Sequence, residues 1–205
     1  MNLQQNQIGP SMKPKIVLAT MKDRAEGWHS RGYLPHLDAR LIVQFVTFRL
    51  ADSLPAHATS ARALDSDELV ERKLDRSYGS CWLAQPEIAS TVEEALLHFD
   101  GTRYRLLAWC IMPNHVHAVV ELQAGGRLHA IVQSWKSFSA KRANQRLGRR
   151  GAFWYPDYFD RYMRDGQHLD ITIDYVERNP VTAGLVENAA MWRWSSARRR
   201  AARTC

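Results

Sequence analysis

The chain of 205 residues contains only three cysteines, Cys81, Cys110 and Cys205, and no CxxC pair. An odd and scattered set argues against both a disulfide framework and a cysteine zinc site, and points to a reduced, cytosolic setting. Long apolar runs are missing as well. Leu106 to Met112 is among the longest, far short of the ~20 residues a membrane helix needs, so no membrane partner is expected. The run Ile16-Val17-Leu18-Ala19, closed by Lys22 and Asp23, is too short for a signal-peptide core of ~7 to 15 residues. There is no GxxxxGK[ST] string, so nothing predicts a nucleotide triphosphate as energy source. Acidic residues are scarce in one half only. Residues 1–100 hold 11 basic and 13 acidic side chains and residues 101–205 hold 17 and 8, so the net +7 belongs to the second half. A field of that sign suits a polyanion.

What is present reads as a single domain, 1–205. Residues 1–40 are mostly polar and punctuated by Gly-Pro and Gly-Trp-His, an arm laid over a core. The first strand is predicted at 41–50, LIVQFVTFRL, where β-branched and aromatic residues dominate. The stretch 52–100 is acidic and reads as a helical insertion, with one helix over 65–75 and another opening at Ser90 as a capping box. Strands follow at 104–112 and 115–122 around Pro113-Asn114. A long helix over 127–148 carries no acidic residue, and a later helix, about 168–178, is expected to stop at Asn179-Pro180. Residues 198–205 form a mobile basic tail.

His115 and His117 lie two apart on a predicted strand, so both imidazoles emerge on one face. That spacing suits a divalent metal, but a sheet also places two histidines on one face for no special reason. Tyr175 and Asn179, four apart on a helix, can present a phenol and an amide together. Two neutral imidazoles and an amide oxygen would leave a metal with open positions for phosphate oxygens, beside a hydroxyl able to attack phosphorus. The plain alternative is a tyrosine at the core rim and an asparagine ahead of a helix-ending proline. Tyr155, Tyr158 and Tyr162 are rival phenols. For DNA, Lys136, Lys141, Arg142 and Arg146 on the acid-free helix, Arg161 and Arg164 beyond it, and Arg198, Arg199 and Arg200 in the tail could meet phosphates. Trp154, Trp135 or Trp192 could stack unpaired bases, with core packing the competing role and the favoured one for Trp135.

The string Met112-Pro113-Asn114-His115-Val116-His117, followed by 174–181, DYVERNPV, and Ala183-Gly184-Leu185-Val186, resembles the REP-associated tyrosine transposases, a branch of the HUH single-stranded-DNA transposases. Trp154 with Tyr158 to Arg161, the Trp194-Ser195-Ser196 end and the arm 30–36 look similar to that family too. The resemblance implies an α+β fold with a ferredoxin-like antiparallel sheet and helices packed on it. It implies His115 and His117 as ligands of Mg²⁺ or Mn²⁺ and Tyr175 as the nucleophile that forms a 5′-phosphotyrosine. Asn179 falls where such enzymes often place a third, amide-type ligand, commonly glutamine. The implied partner is a single-stranded REP-type hairpin cut and rejoined in the nucleoid, by a monomer or a homodimer. Two other readings stay open: a non-catalytic nucleic-acid-binding regulator on the same sheet, and a phosphodiesterase that uses water.

Overall fold

A computed structural model describes residues 28–30, 35–37, 42–54, 74 and 78–204. The helix expected over 65–75, apart from Leu74, and most of the arm 1–40 lie outside the described residues. Six strands are present among them: β1 (Trp28–Ser30), β2 (Pro35–Leu37), β3 (Val43–Arg49), β4 (Tyr104–Ile111), β5 (His115–Leu122) and β6 (Phe159–Tyr162). Four helices accompany them: α1 (Pro86–Leu97), α2 (Leu128–Arg146), α3 (Gly166–Thr182) and α4 (Ser196–Thr204). β1 and β2 pair as a small antiparallel ribbon.

The main sheet has the order β4-β5-β3-β6 and is antiparallel throughout. The chain order β3-α1-β4-β5-α2-β6 on that sheet is the split βαβ arrangement of the ferredoxin-like fold, so the predicted α+β class holds. Strand alternation divides β5 between the two faces. Val116, Ala118, Val120 and Leu122 join Phe48, Trp109, Ile111, Trp135 and Trp154 in the larger core, under α1 and α2. Val119 joins Val43, Phe45, Cys110, Met112, Leu169 and Val176 in the smaller core, under α3. The two histidines of β5 share that second face.

Several expectations change. The helix predicted from Ser90 begins at Pro86, whose fixed φ and missing N–H suit a first helical position, and Thr91 donates back to the Glu87 carbonyl within the helix. Ile88, Val92 and Leu96 bury α1 in the larger core, so this part of the acidic 52–100 stretch is the first crossover of the fold. α3 runs through Pro180 to Thr182. A proline one turn from the end removes one helical bond, while Ala183, Gly184 and Leu185 donate to the carbonyls of Asn179, Val181 and Pro180 and close the helix at Gly184, φ +71°. The basic tail is helical. Ser196 opens α4 with its Oγ accepting from Trp109 N–H at 3.0 Å and donating to Glu177 at 2.5 Å, and Arg200 pairs with Glu177.

Candidate active site

β5 starts after a tight turn. Leu50 N–H binds the Asn114 carbonyl and Met112 N–H the His115 carbonyl, both at 2.9 Å, which draws Asn114 between β3 and β5. Its amide donates to the Tyr78 carbonyl at 3.1 Å, so the oxygen is turned toward His115 and accepts from Nδ1 at 2.7 Å. An amide oxygen only accepts, so the His115 proton sits on Nδ1 and its Nε2 offers a lone pair. His117 Nε2 lies 3.0 Å from it and must be the donor of that pair. His117 Nδ1 then accepts from Thr47 Oγ1 at 2.8 Å, across the β3–β5 register that sets Thr47 opposite His117.

Both imidazoles are fully buried. Burial pushes His117 down to about 3, and burial first and His117 second hold His115 well below the ordinary histidine value. Desolvation therefore keeps the pair neutral, the form that ligates metals. Phe45 stacks on His117 with centroids 5.4 Å apart and closes one side.

α3 brings Tyr175 over the same place. Its ring is 5.6 Å from His117 and 6.0 Å from Phe45, centroid to centroid, edge-on to both. One turn later the Asn179 amide donates to the Tyr175 hydroxyl oxygen at 3.3 Å. Asn179 is 1% exposed, and its Oδ1 is buried with no hydrogen-bond partner. A buried amide oxygen without a donor costs about 1 to 3 kcal/mol, a cost that a cation would remove. Two converging imidazole nitrogens and this orphaned oxygen fit a divalent cation. Two imidazoles and an amide carry no negative charge, and among the described residues no group of three or more His, Cys, Asp or Glu is placed to hold a metal ion.

The rival phenols fall elsewhere. Tyr158 belongs to the core on the other face and Tyr155 lies under the Arg49 guanidinium, 3.7 Å away. Two of the predicted DNA contacts, Trp154 and Lys136, are buried. Trp154 is 5% exposed, edge-on to Phe48 at 4.8 Å, with its indole N–H on Ser139, so it has no face for a base. Lys136 is buried and donates to the carbonyls of Tyr155 and Pro156 at 2.8 and 2.7 Å, pinning the turn before β6; burial lowers it to about 8. Trp135 is core, edge-on to Tyr104. Trp192 is half-buried, with its N–H on the Ile111 carbonyl. Arg142 pairs with Glu94 of α1, and Lys141 and Arg146 are exposed on α2, the layer across the sheet from the histidines. Arg198, Arg199 and Arg200 are exposed on α4, with Arg199 3.7 Å from Glu93. Arg161 and Arg164, both exposed, stand at and just beyond β6. Sequence reasoning assigned no role to Thr47, Phe45 or the Asn114 side chain. An asparagine directly before the first histidine was a usable signal; Thr47 is found only from strand register.

The ferredoxin-like sheet thus sets a buried histidine pair against a helical tyrosine, and known proteins resemble this chain in the stretch that holds them. Residues 84–179, which hold His115, His117, Tyr175 and Asn179, match the family model described as Transposase IS200 like. A Haemophilus influenzae protein named provisionally as a REP-associated tyrosine transposase is 25% identical over 120 residues, 54% of this chain. The match spans 66% of that relative's length. The fold is that of the REP-associated tyrosine transposase solved bound to a REP hairpin, with a TM-score of 0.55, 18% identity and 86% of each chain covered. The matched stretch 84–179 includes Met112 to His117 and 174–179 of the segments in which the resemblance was read. No described helix is long and apolar enough to cross a membrane.

Proposed function

We propose that this chain is a metal-dependent tyrosine transposase that cuts a single-stranded REP-type DNA hairpin and rejoins strands through Tyr175. The observation that carries this reading is the convergence of the His115 and His117 Nε2 atoms, 3.0 Å apart, beneath a tyrosine bonded to a buried asparagine with an unused oxygen. His115, His117 and Asn179 would hold Mg²⁺ or Mn²⁺. When bound, that cation supplies positive charge to the non-bridging phosphate oxygens.

The chain's own groups do the rest. The Asn179 N–H favours the anionic form of the Tyr175 oxygen and aims it. Tyr175 gives up its hydroxyl proton and forms a bond to phosphorus. The bond to the 3′ oxygen breaks, and that oxygen leaves and takes a proton. The new phosphotyrosine keeps the energy of the broken ester, so a 3′ hydroxyl can reverse the step and join strands without a nucleotide triphosphate. Phe45 keeps water off the flank of His117. We assign 1–205 to one transposase-like domain acting at the nucleoid.

Incubation with end-labelled hairpin and Mn²⁺ should yield a covalent protein–DNA band that Tyr175→Phe abolishes while hairpin binding persists. An undiminished band from Tyr175→Phe would disprove the nucleophile, and binding without any cleavage would favour the regulator.

A further inference from the structure

One cavity lies outside the histidine–tyrosine cluster but on its side of the sheet. It has a volume of about 320 Å³ and is lined by Arg161, Tyr162, Arg164 and His168. Arg161 comes from β6 and lies opposite Phe45, whose ring packs on His117 and Tyr175, so its side chain shares their face. Arg164 stands at the start of α3, where its backbone N–H binds His168 Nδ1 at 3.3 Å, leaving the guanidinium to be removed without touching that bond. The Asp165 carboxylate is spent locally, accepting the His168 N–H at 2.7 Å as the helix cap.

The two guanidiniums act on one volume. His168 is held below the ordinary histidine value by burial first, then by Arg164 and Arg161, against an opposing pull from Asp165. Guanidinium charge gathered at the wall of one cavity attracts an anion to it. Guanidinium forks match the spacing of phosphate oxygens and bind them in pairs.

The register gives the distance to the chemistry. Cys110, His117, Thr47 and Phe159 form one row across four strands, and Arg161 is two residues beyond Phe159. Two strand spacings and two residue rises place the backbone of Arg161 about 12 Å from that of His117. At ~3.4 Å per stacked nucleotide this spans about three to four nucleotides, and fewer on an extended strand.

We propose that the cavity of Arg161, Arg164 and His168 is a built phosphate seat that grips one backbone phosphodiester of the single strand, within about four nucleotides of the bond cut at Tyr175. This rests on the function proposed above and adds a second, fixed contact that sets where the strand lies. One phosphate held at a fixed distance from the nucleophile selects which bond is presented to it.

The test uses the full chain in chelator, so that binding is read without cleavage. A series of hairpin DNAs, each with a single uncharged methylphosphonate at a successive linkage around the cut, is titrated by fluorescence anisotropy. In the wild type one linkage within four nucleotides should weaken binding about tenfold, and in R161Q/R164Q that same linkage should cost nothing. A K141Q/R146Q control on α2 removes the same charge and should leave the position effect in place. If every linkage costs the wild type and R161Q/R164Q alike, the seat is refuted, as it is if no hairpin binds. Circular dichroism checks that the variants fold. A position effect erased by R161Q/R164Q in a protein that never forms the covalent band would instead keep the seat and sink the transposase chemistry.

Discussion

Thr47→Val isolates the part of the site that tunes the histidines. Valine keeps the volume and the strand preference of threonine and removes only the hydroxyl. Thr47 is 6% exposed and bonds His117 Nδ1 at 2.8 Å. Without a cation, Nδ1 accepts from that hydroxyl because Nε2 carries the proton donated to His115. A cation held through Nε2 would require the His117 proton on Nδ1, where the Thr47 hydroxyl would accept it. Valine serves neither state. In chelator it leaves one buried nitrogen unsatisfied, at a cost of about 1 to 3 kcal/mol of stability. For the cation it removes the group that orients the ligand, a loss of about 10- to 100-fold in affinity. Mn²⁺ titration by calorimetry measures the second effect and urea unfolding in chelator the first. Thr47→Ser should restore both. Mn²⁺ affinity in Thr47→Val equal to wild type would show that His117 is not a ligand in the way the geometry implies.

Trp154→Ala should cost about 3 to 5 kcal/mol in urea unfolding, since it empties a site packed by Phe48 and Phe153; a loss of DNA affinity at unchanged stability would restore the base-stacking role. Acid should destabilise the metal-free protein early. His117 has a folded-state value near 3 against an ordinary 6.5, so the unfolded chain binds more protons between those values, and stability is full above pH 6.5 and falls as pH drops. The slope should approach about 1.4 kcal/mol per pH unit for that one group, and stability unchanged from pH 7 to 5 would contradict a buried neutral pair.

Strand periodicity in HVHAVVEL was enough to put both histidines on one face and Val116 and Val120 on the other, and β5 runs from His115 to Leu122 as its sequence pattern suggests. Composition misjudged α1. Glu87 and Glu94 are exposed while Ile88, Val92 and Leu96 face the sheet, so an acidic stretch hides a crossover helix. The Asn179-Pro180 stop failed because a proline in a final turn costs only one bond. Lys136 and Trp154 looked available for DNA because a cation and an indole usually meet solvent or ligand; three-dimensional packing gives them backbone carbonyls and an aromatic core instead. Thr47 is 70 residues from His117 along the chain, and no local pattern links them.

The segment 194–200 restricts how two copies could meet. On the outer edge of β4, the N–H groups of Trp109 and Ile111 are taken by Ser196 Oγ and the Trp194 carbonyl, and the Leu107 carbonyl accepts from Arg200. That edge is already occupied by the same molecule. Any pairing of subunits that extended one sheet into the next across β4 would have to peel away residues 194–200 first, and with them the ties from Ser196 and Arg200 to Glu177 on the helix of Tyr175. A homodimer that leaves this segment in place must therefore join through a surface other than the β4 edge.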